Sequence, residues 1–204
     1  MKLAYVTTYN AKCLGAKGFN EWSGTGYYIA QSLKDRVTPD IEYLGPLERT
    51  IALRSILKLK RHYHEFFHKT YIKDAEPLLL KNYADRVAKK LSSIKANLVF
   101  SATINPIAYL ECEQPIVFWA DATFANLIDF YPQYSNLCSE SIAQGHLMER
   151  KALQKAKLAI YASEWAAQTA IEYYQADPAK VKVVPFGANI ESSKSIYEIK
   201  ESID

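Results

Sequence analysis

The chain has 204 residues, of which 49% are apolar and 23% are charged, and its formal net charge is +3. This composition excludes a disordered or collagen-like chain, and no apolar run approaches the roughly 18–20 residues of a membrane-spanning helix. The charge is too small to indicate a nucleic-acid partner. Because Cys13, Cys112 and Cys138 are far apart and form no Cys-x-x-Cys pair, we expect a cytoplasmic protein with neither a disulfide framework nor a metal site.

Short apolar runs alternate with longer amphipathic stretches along the chain. Each run is nearly continuous in apolar residues, which is typical of strands that helices cover on both faces. The predicted strands are 3–7, 41–44, 98–100, 116–119, 158–161 and 181–184, and the predicted helices are 26–34, 74–91, 139–157 and 164–175. The alternation predicts one Rossmann-like α/β domain over residues 1–190. We expect a parallel sheet of about six to seven strands with helices on both faces.

The first candidate site is the loop Ser23-Gly24-Thr25-Gly26, which precedes the first predicted helix. Glycine lets backbone N–H groups approach a ligand, and a helix N-terminus favours an anion. Alternatively, the glycines only shape the loop and Ser23 or Thr25 caps the helix. Ile29 stands where a dinucleotide fingerprint has its third glycine, and the Walker lysine is absent, so we expect no nucleotide cofactor.

Several segments occur in an order that indicates a known family. They are 22–28, 118–124, 149–153, 159–165 and 183–189. Together they resemble the N-terminal half of a family-4, retaining glycosyltransferase of the GT-B fold, of the glycosyl transferase group 1 type. The resemblance covers residues 1 to about 192.

The resemblance implies a hexosyltransferase that uses a nucleotide-sugar donor. Its N-terminal Rossmann domain binds the acceptor, which is a sugar, a lipid-linked or a small-molecule compound. Its second Rossmann domain binds the donor, and the loop at Ser23–Gly26 lies against the donor phosphates. Pro185, Gly187 and Asn189 lead into the interdomain linker. Since only 15 residues follow Asn189, we expect 191–204 to be a linker towards a missing donor domain, and the chain alone to be inactive.

Asp121 is the candidate catalytic residue. It follows the apolar run 116–119 at the carboxyl end of a predicted strand, where an unpaired charge avoids the core. There it can accept a hydrogen bond from an acceptor hydroxyl. Many relatives place a histidine near this point, where this chain has Ala120-Asp121. Alternatively, Asp121 caps the helix that opens at Thr123.

Further polar residues follow other predicted strands and face the same edge. Thr103 and Asn105 follow the third strand, although a turn at Asn105-Pro106 explains them equally well. Ser163 also has the position of a helix N-cap. The candidate acceptor-binding residues are Thr103, Asn105, Thr123, Ser163 and Glu164.

The segment 49–73 is strongly basic, with a local charge of +6 from seven lysines and arginines against one glutamate. Apolar residues are interleaved with these charges. A basic amphipathic helix of this kind can lie on an anionic membrane, here the inner face, as peripheral contact. Alternatively, it is a solvated helix with its apolar side in the core. His64 and His68 are four residues apart, a spacing that can hold a metal on a helix.

A second function class stays open beside the transferase. The chain is alternatively a standalone α/β module that binds a nucleotide or a polar small molecule. A reading frame that continues for about 150–200 residues with a Glu-x7-Glu motif would favour the enzyme.

Overall fold

The structure is a computed structural model that describes residues 1–13 and 24–189. The candidate residue Ser23 and the predicted tail 191–204 lie outside the described residues.

A single parallel sheet organises the described chain. Its strands are β1 (Leu3–Val6), β2 (Ile41–Tyr43), β3 (Leu98–Ser101), β4 (Ile116–Ala120), β5 (Ala156–Tyr161) and β6 (Val181–Val183). They pair in the order β2-β1-β3-β4-β5-β6, and every pairing is parallel. The predicted Rossmann-like α/β sheet is therefore confirmed, with six strands in the described residues.

Helices connect these strands. They are α1 (Thr25–Arg36), α2 (Ile51–Phe66), α3 (Pro77–Leu91), α4 (Phe124–Leu127), α5 (Ser139–Lys155) and α6 (Glu164–Glu172). Helix α3 begins three residues later than predicted because the Glu76 carboxylate caps it, accepting from Leu78 N at 3.5 Å, and Pro77 occupies its first turn. His64 and His68 do not lie on one helix, since α2 ends at Phe66 and His68 has a φ of 53°.

Both faces of the sheet are buried, as the continuous apolar runs predict. Alternate residues of a strand point to opposite faces, so β1 sends Ala4 and Val6 to one side and Leu3 and Tyr5 to the other. The first side packs under α2, α3, α5 and α6, and the second side under α1. All four β1 residues are fully buried, which fixes β1 as a central strand.

Two close approaches at glycines fix how helices pack. A Cβ at Gly26 would lie 2.2 Å from the Tyr9 hydroxyl, so α1 sits on the Tyr9 ring only because residue 26 has no side chain. A Cβ at Gly145, in the middle of α5, would lie 2.1 Å from the Phe124 ring. These glycines allow packing that any side chain would block.

Replacing Gly145 with alanine tests this packing. Alanine in a helix normally stabilises by up to about 1 kcal/mol relative to glycine. Here the clash with Phe124 reverses the sign, and we expect a loss of about 1–3 kcal/mol in the free energy of unfolding. Chemical denaturation measures the change. Gly187→Ala is the matched control, because a Cβ there meets no atom within 4 Å. Equal stability of both variants and the parent chain would contradict the packing.

Candidate functional site

A cavity of about 560 Å³ opens at the carboxyl edge of the sheet. Thr8 and Tyr9 line it after β1, residues 102–105 after β3, and Asp121 and Ala122 after β4. Strand order reverses between β1 and β3, and ligands of open α/β sheets bind at this switch point. We call this the switch-point cavity. It is also lined by Arg49, Ile72, Lys73, Asp74, Tyr83, Phe124, Leu127, Tyr131, Gln133, Tyr134, Met148 and Glu149.

Asp121 lies at the rim of the switch-point cavity with an exposed carboxylate. Its Oδ1 accepts a hydrogen bond from the amide of Ala122 at 2.9 Å. It does not cap α4, because the cap is Thr123. The structure therefore leaves most of the Asp121 carboxylate available to a ligand in the cavity.

Thr123 is buried in the cap of α4. Its hydroxyl donates to Asn126 Oδ1 at 2.6 Å and accepts from the Asn126 amide at 3.4 Å, and Asn126 Oδ1 also accepts from the Thr123 amide at 3.0 Å. This reciprocal arrangement is a capping box. It occupies the Thr123 hydroxyl and keeps it away from the cavity surface.

Thr103 and Asn105 both line the switch-point cavity. Asn105 Nδ2 donates to the carbonyl of Asp74 at 2.8 Å, which ties the loop after β3 to the 3-10 turn Lys73–Ala75. The buried hydroxyl of Thr103 has no hydrogen-bond partner within residues 1–13 and 24–189. A buried hydroxyl without a hydrogen-bond partner carries a desolvation cost.

Ser163 and Glu164 lie outside the switch-point cavity. The Ser163 hydroxyl caps α6 by accepting from the Ala166 amide at 3.3 Å. Glu164 occupies the exposed first turn of α6, where a negative charge is favourable near the helix N-terminus. The structure thus separates these two residues from Asp121, Thr103 and Asn105.

The glycine loop meets the segment 184–189. Gly24 has a φ of 80°, in the left-handed region that glycine favours, and directly precedes α1. Asn189 Nδ2 donates to the Thr25 hydroxyl at 2.8 Å, which joins two points 164 residues apart. Pro185 and Gly187 are exposed in this segment. The beginning of α1 and the end of the segment 184–189 are therefore in direct contact.

Trp119 anchors the same segment to the sheet. Its indole N–H donates to the carbonyl of Val184 at 2.9 Å, and its ring lies 5.0 Å from the ring of Phe186. These contacts hold the backbone of 184–186 against β4.

Sequence reasoning missed the role of Glu149, a fully buried carboxyl at the back of the cavity. It accepts hydrogen bonds from the Phe124 amide and the Tyr161 hydroxyl, each at 2.9 Å. Burial raises the pKa of the Glu149 carboxyl to about 7; the two hydrogen bonds oppose this rise and the charge of Asp121 adds to it. The available signal was a glutamate between Gly145, Met148 and Ala152 on the buried side of α5, where charges are rare.

Arg49 and Lys73 add positive charge to the cavity wall. Arg49 Nε donates to the Tyr83 hydroxyl at 2.8 Å, and Arg49 Nη2 lies 3.3 Å from Asp74 Oδ1. Lys73 is exposed at the rim. Aromatic walls with carboxylates, amides and hydroxyls suit a ligand that carries many hydroxyl groups.

Neither metal ligation nor membrane spanning is indicated in the described ranges. Within residues 1–13 and 24–189, no cluster of three histidine, cysteine or acidic side chains is placed to hold a metal ion. No helix there has the length and apolar character needed to cross a bilayer.

Comparisons with known proteins add no family assignment. No protein-family model matches the chain, and no curated protein shows significant sequence similarity to it.

The buried Glu149 makes stability depend on pH. Its folded pKa of about 7 lies above the value in the unfolded chain, so its contribution is complete below the unfolded pKa and is lost as pH rises through 7. Glu149→Gln keeps both hydrogen bonds, since its amide oxygen accepts from Phe124 and its amide nitrogen donates to Tyr161. We expect the wild-type free energy of unfolding to fall by roughly 2–4 kcal/mol more than that of the variant between pH 4.5 and pH 8.

Denaturation at several pH values measures this difference. Asp121, Tyr161 and Tyr174 interact electrostatically with Glu149 and are present in both proteins, so the difference between the two curves reports Glu149 together with its coupling to these groups. Glu164→Gln removes an exposed carboxylate and is the matched control. Parallel curves for wild type and Glu149→Gln would overturn this account of the buried carboxyl.

Proposed function

We propose that the chain is the acceptor-binding half of a retaining glycosyltransferase that uses a nucleotide-sugar donor. The observation that carries the proposal is the switch-point cavity, which is lined by the exposed Asp121 carboxylate and by Thr103 and Asn105 at the carboxyl edge of a parallel sheet. The motif order described above supports the same function. A second Rossmann domain would complete the enzyme by binding the donor.

In this proposal, each side of the site has a separate task. The acceptor occupies the switch-point cavity, and its reacting hydroxyl donates a hydrogen bond to Asp121, which orients it towards the sugar. The donor diphosphate lies outside Gly24, where backbone N–H groups offset the charge that builds on the leaving phosphate. The contact between Thr25 and Asn189 holds the two edges of this donor side together.

Substitution of Asp121 in the full-length protein tests the catalytic assignment. Asp121→Asn keeps the shape and removes the charge, and we expect kcat/KM to fall about 10²-fold or more. We expect the melting temperature to stay within about 2 °C in Asp121→Asn and Asp121→Ala, since the side chain is exposed and, among the described residues, bonds only to the adjacent amide. Asp85→Asn, on the exposed side of α3, is the control.

The outcomes separate transferase from binding module. Normal turnover in both Asp121 variants would remove Asp121 from the site. Transfer or hydrolysis of nucleotide-sugars at enzymatic rates by the 204-residue chain alone would contradict the need for a donor domain. A full-length protein that binds a polar ligand in the cavity but transfers no sugar would favour the standalone module.

Helix α2 favours a second part of the proposal, peripheral contact with an anionic membrane. Its inner face packs Leu53 and Leu57 into the core. A neighbouring face carries exposed apolar side chains, with Leu59 at 72% and Phe66 at 79% exposure. We call this face the α2 stripe; it comprises Ile56, Leu59, Tyr63, Phe66 and the following Phe67.

A basic row flanks the α2 stripe. Arg54, Lys58 and Arg61 are exposed and recur at helical spacing along one side of it. An apolar stripe beside a basic row is the arrangement of helices that lie in the plane of a membrane interface. A fully solvated helix would not need so many exposed large apolar side chains.

A polar network holds α2 on the body of the domain. Lys60 Nζ donates to Glu76 Oε2 at 2.8 Å and to Glu140 Oε1 at 2.6 Å, which joins α2 to α3 and α5. His64 Nε2 lies 3.0 Å from Glu140 Oε2. Because these inward groups fix the rotation of α2, the α2 stripe stays outside.

Vesicle binding tests the membrane contact. We expect binding to vesicles that contain phosphatidylglycerol, steep weakening with salt, and an at least tenfold loss in the double variant Lys58→Glu, Arg61→Glu, at about 1 kcal/mol per basic residue. Lys89→Glu on the exposed side of α3 is the matched control. Equal binding to neutral phosphatidylcholine vesicles, or binding to neither kind of vesicle, would contradict the membrane contact. The interpretation of α2 as a solvated helix would then remain.

A further inference from the structure

A second hollow lies beside the switch-point cavity, at the same edge of the sheet. It is open, has a volume of about 550 Å³, and is formed by the start of α6 and the chain that follows α4. We call it the aromatic hollow. It is lined by Ala125, Asn126, Ile128, Asp129, Phe130, Trp165, Thr169, Glu172 and Tyr173.

Phe130 and Trp165 form the floor of the aromatic hollow. Both are exposed, at 61% and 47%, and their ring centroids lie 5.2 Å apart with a tilt of 43°. Rings in contact leave no space between them for a cation, so the pair is a continuous platform and not a cage. A platform of this kind suits the face of a flat or ring-shaped ligand.

The backbone holds Phe130 in this position. Asp129 has a φ of 57°, in the left-handed region, and its amide donates to the carbonyl of Tyr134 at 3.3 Å. The Phe130 amide donates to the carbonyl of Leu127 at 3.1 Å. This turn aims Phe130 outward, so the platform exists before a ligand arrives.

The rim of the aromatic hollow selects against anions. Asp129 and Glu172 are exposed carboxylates at its edge, and none of the lysines or arginines that the structure describes lines it. Carboxylates repel phosphates and accept hydrogen bonds from hydroxyl groups. The ligand chemistry that fits is a neutral ring with an apolar face and hydroxyls at its edge, which is a sugar.

The aromatic hollow and the switch-point cavity share one wall. Leu127 and Tyr131 line the cavity, whereas Ile128 and Phe130 line the hollow. The rings of Phe130 and Tyr131 are in contact, with centroids 4.9 Å apart. A chain of sugar units can therefore cross this ridge from one site to the other.

We propose that the aromatic hollow is a subsite for a neutral sugar unit of an extended oligosaccharide acceptor, stacked on Trp165 and Phe130. The proposal rests on the proposed function, because it takes the acceptor's reacting end to lie in the switch-point cavity. It narrows the acceptor from any hydroxyl compound to an oligosaccharide of at least two or three units.

Fluorine NMR of the chain labelled with 5-fluorotryptophan tests the subsite. The sequence has three tryptophans, and Trp119 serves as an internal reference because its indole is bonded to Val184 on the other side of the sheet. The probes are the neutral trisaccharides maltotriose, cellotriose and chitotriose. We expect at least one of them to shift the Trp165 signal but not the Trp119 signal, and to bind about tenfold more tightly than its monosaccharide.

Variants give the decisive comparison. Phe130→Ala should weaken trisaccharide binding about 3- to 10-fold, the size expected for loss of one aromatic contact, and Leu78→Ala, an exposed apolar residue of α3, should not. Absence of a Trp165 shift with all three trisaccharides would overturn the proposal. Protection of Trp165 from hydroxyl-radical oxidation in the ligand-free full-length protein would also overturn it. Such protection would mean that another part of the full-length protein covers the aromatic hollow.

The experiments distinguish an error in the subsite proposal from an error in the proposed function. Asp121→Asn should keep the Trp165 shift while losing transfer. If the shift persists but the full-length protein transfers no sugar, the subsite stands and the transferase proposal fails. If Asp121 variants lose transfer but no trisaccharide reaches Trp165, only the subsite fails.

Discussion

The arrangement of the elements at the carboxyl edge of the sheet depends on one buried side chain, the carboxyl group of Glu149. It accepts from the Phe124 amide and from the Tyr161 hydroxyl, so it joins α5 and β5 to the beginning of α4. The next two amides of α4 are also bonded, Ala125 to the Tyr174 hydroxyl at 3.1 Å and Asn126 to the Thr123 cap. A helix of four residues has little stability of its own. These hydrogen bonds hold α4 in place instead.

Fixing α4 in this way determines both proposed sites. The residues before it carry Asp121 at the rim of the switch-point cavity, and the residues after it form the wall between the cavity and the aromatic hollow. Gly145 completes the arrangement, because only a glycine lets the Phe124 ring lie against α5. The first three amides of α4 are all occupied by hydrogen bonds within the protein, so this helix start is satisfied without a ligand.

The same principle, a polar contact that orients an apolar face, applies to α2. Lys60 bonds inward to Glu76 and Glu140, whereas a long basic side chain on an amphipathic helix normally points to water. This inward bond turns the α2 stripe to the outside. One network thus accounts for both the attachment of the helix and its exposed apolar surface.

The sequence by itself determined the parallel sheet and the position of Asp121 at its carboxyl edge. Six continuous apolar runs encode strands that are buried on both faces. Because a carboxylate directly after β4 has to lie outside the core, the local pattern alone was enough to locate Asp121. The same holds for Ser163, whose position before α6 predicts its cap. Local pattern was sufficient because strand burial and helix capping depend on neighbours in the chain.

Only the tertiary structure decided which distant residues meet. The contacts of Glu149 with Phe124, of Asn189 with Thr25 and of Phe130 with Trp165 each join separate elements. The amphipathic pattern of α2 did not reveal which part of its apolar surface faces inward, since that depends on where Glu76 and Glu140 lie. Hydrophobic periodicity specifies the faces of one element, whereas packing between elements specifies which faces touch, and the site is made of those contacts.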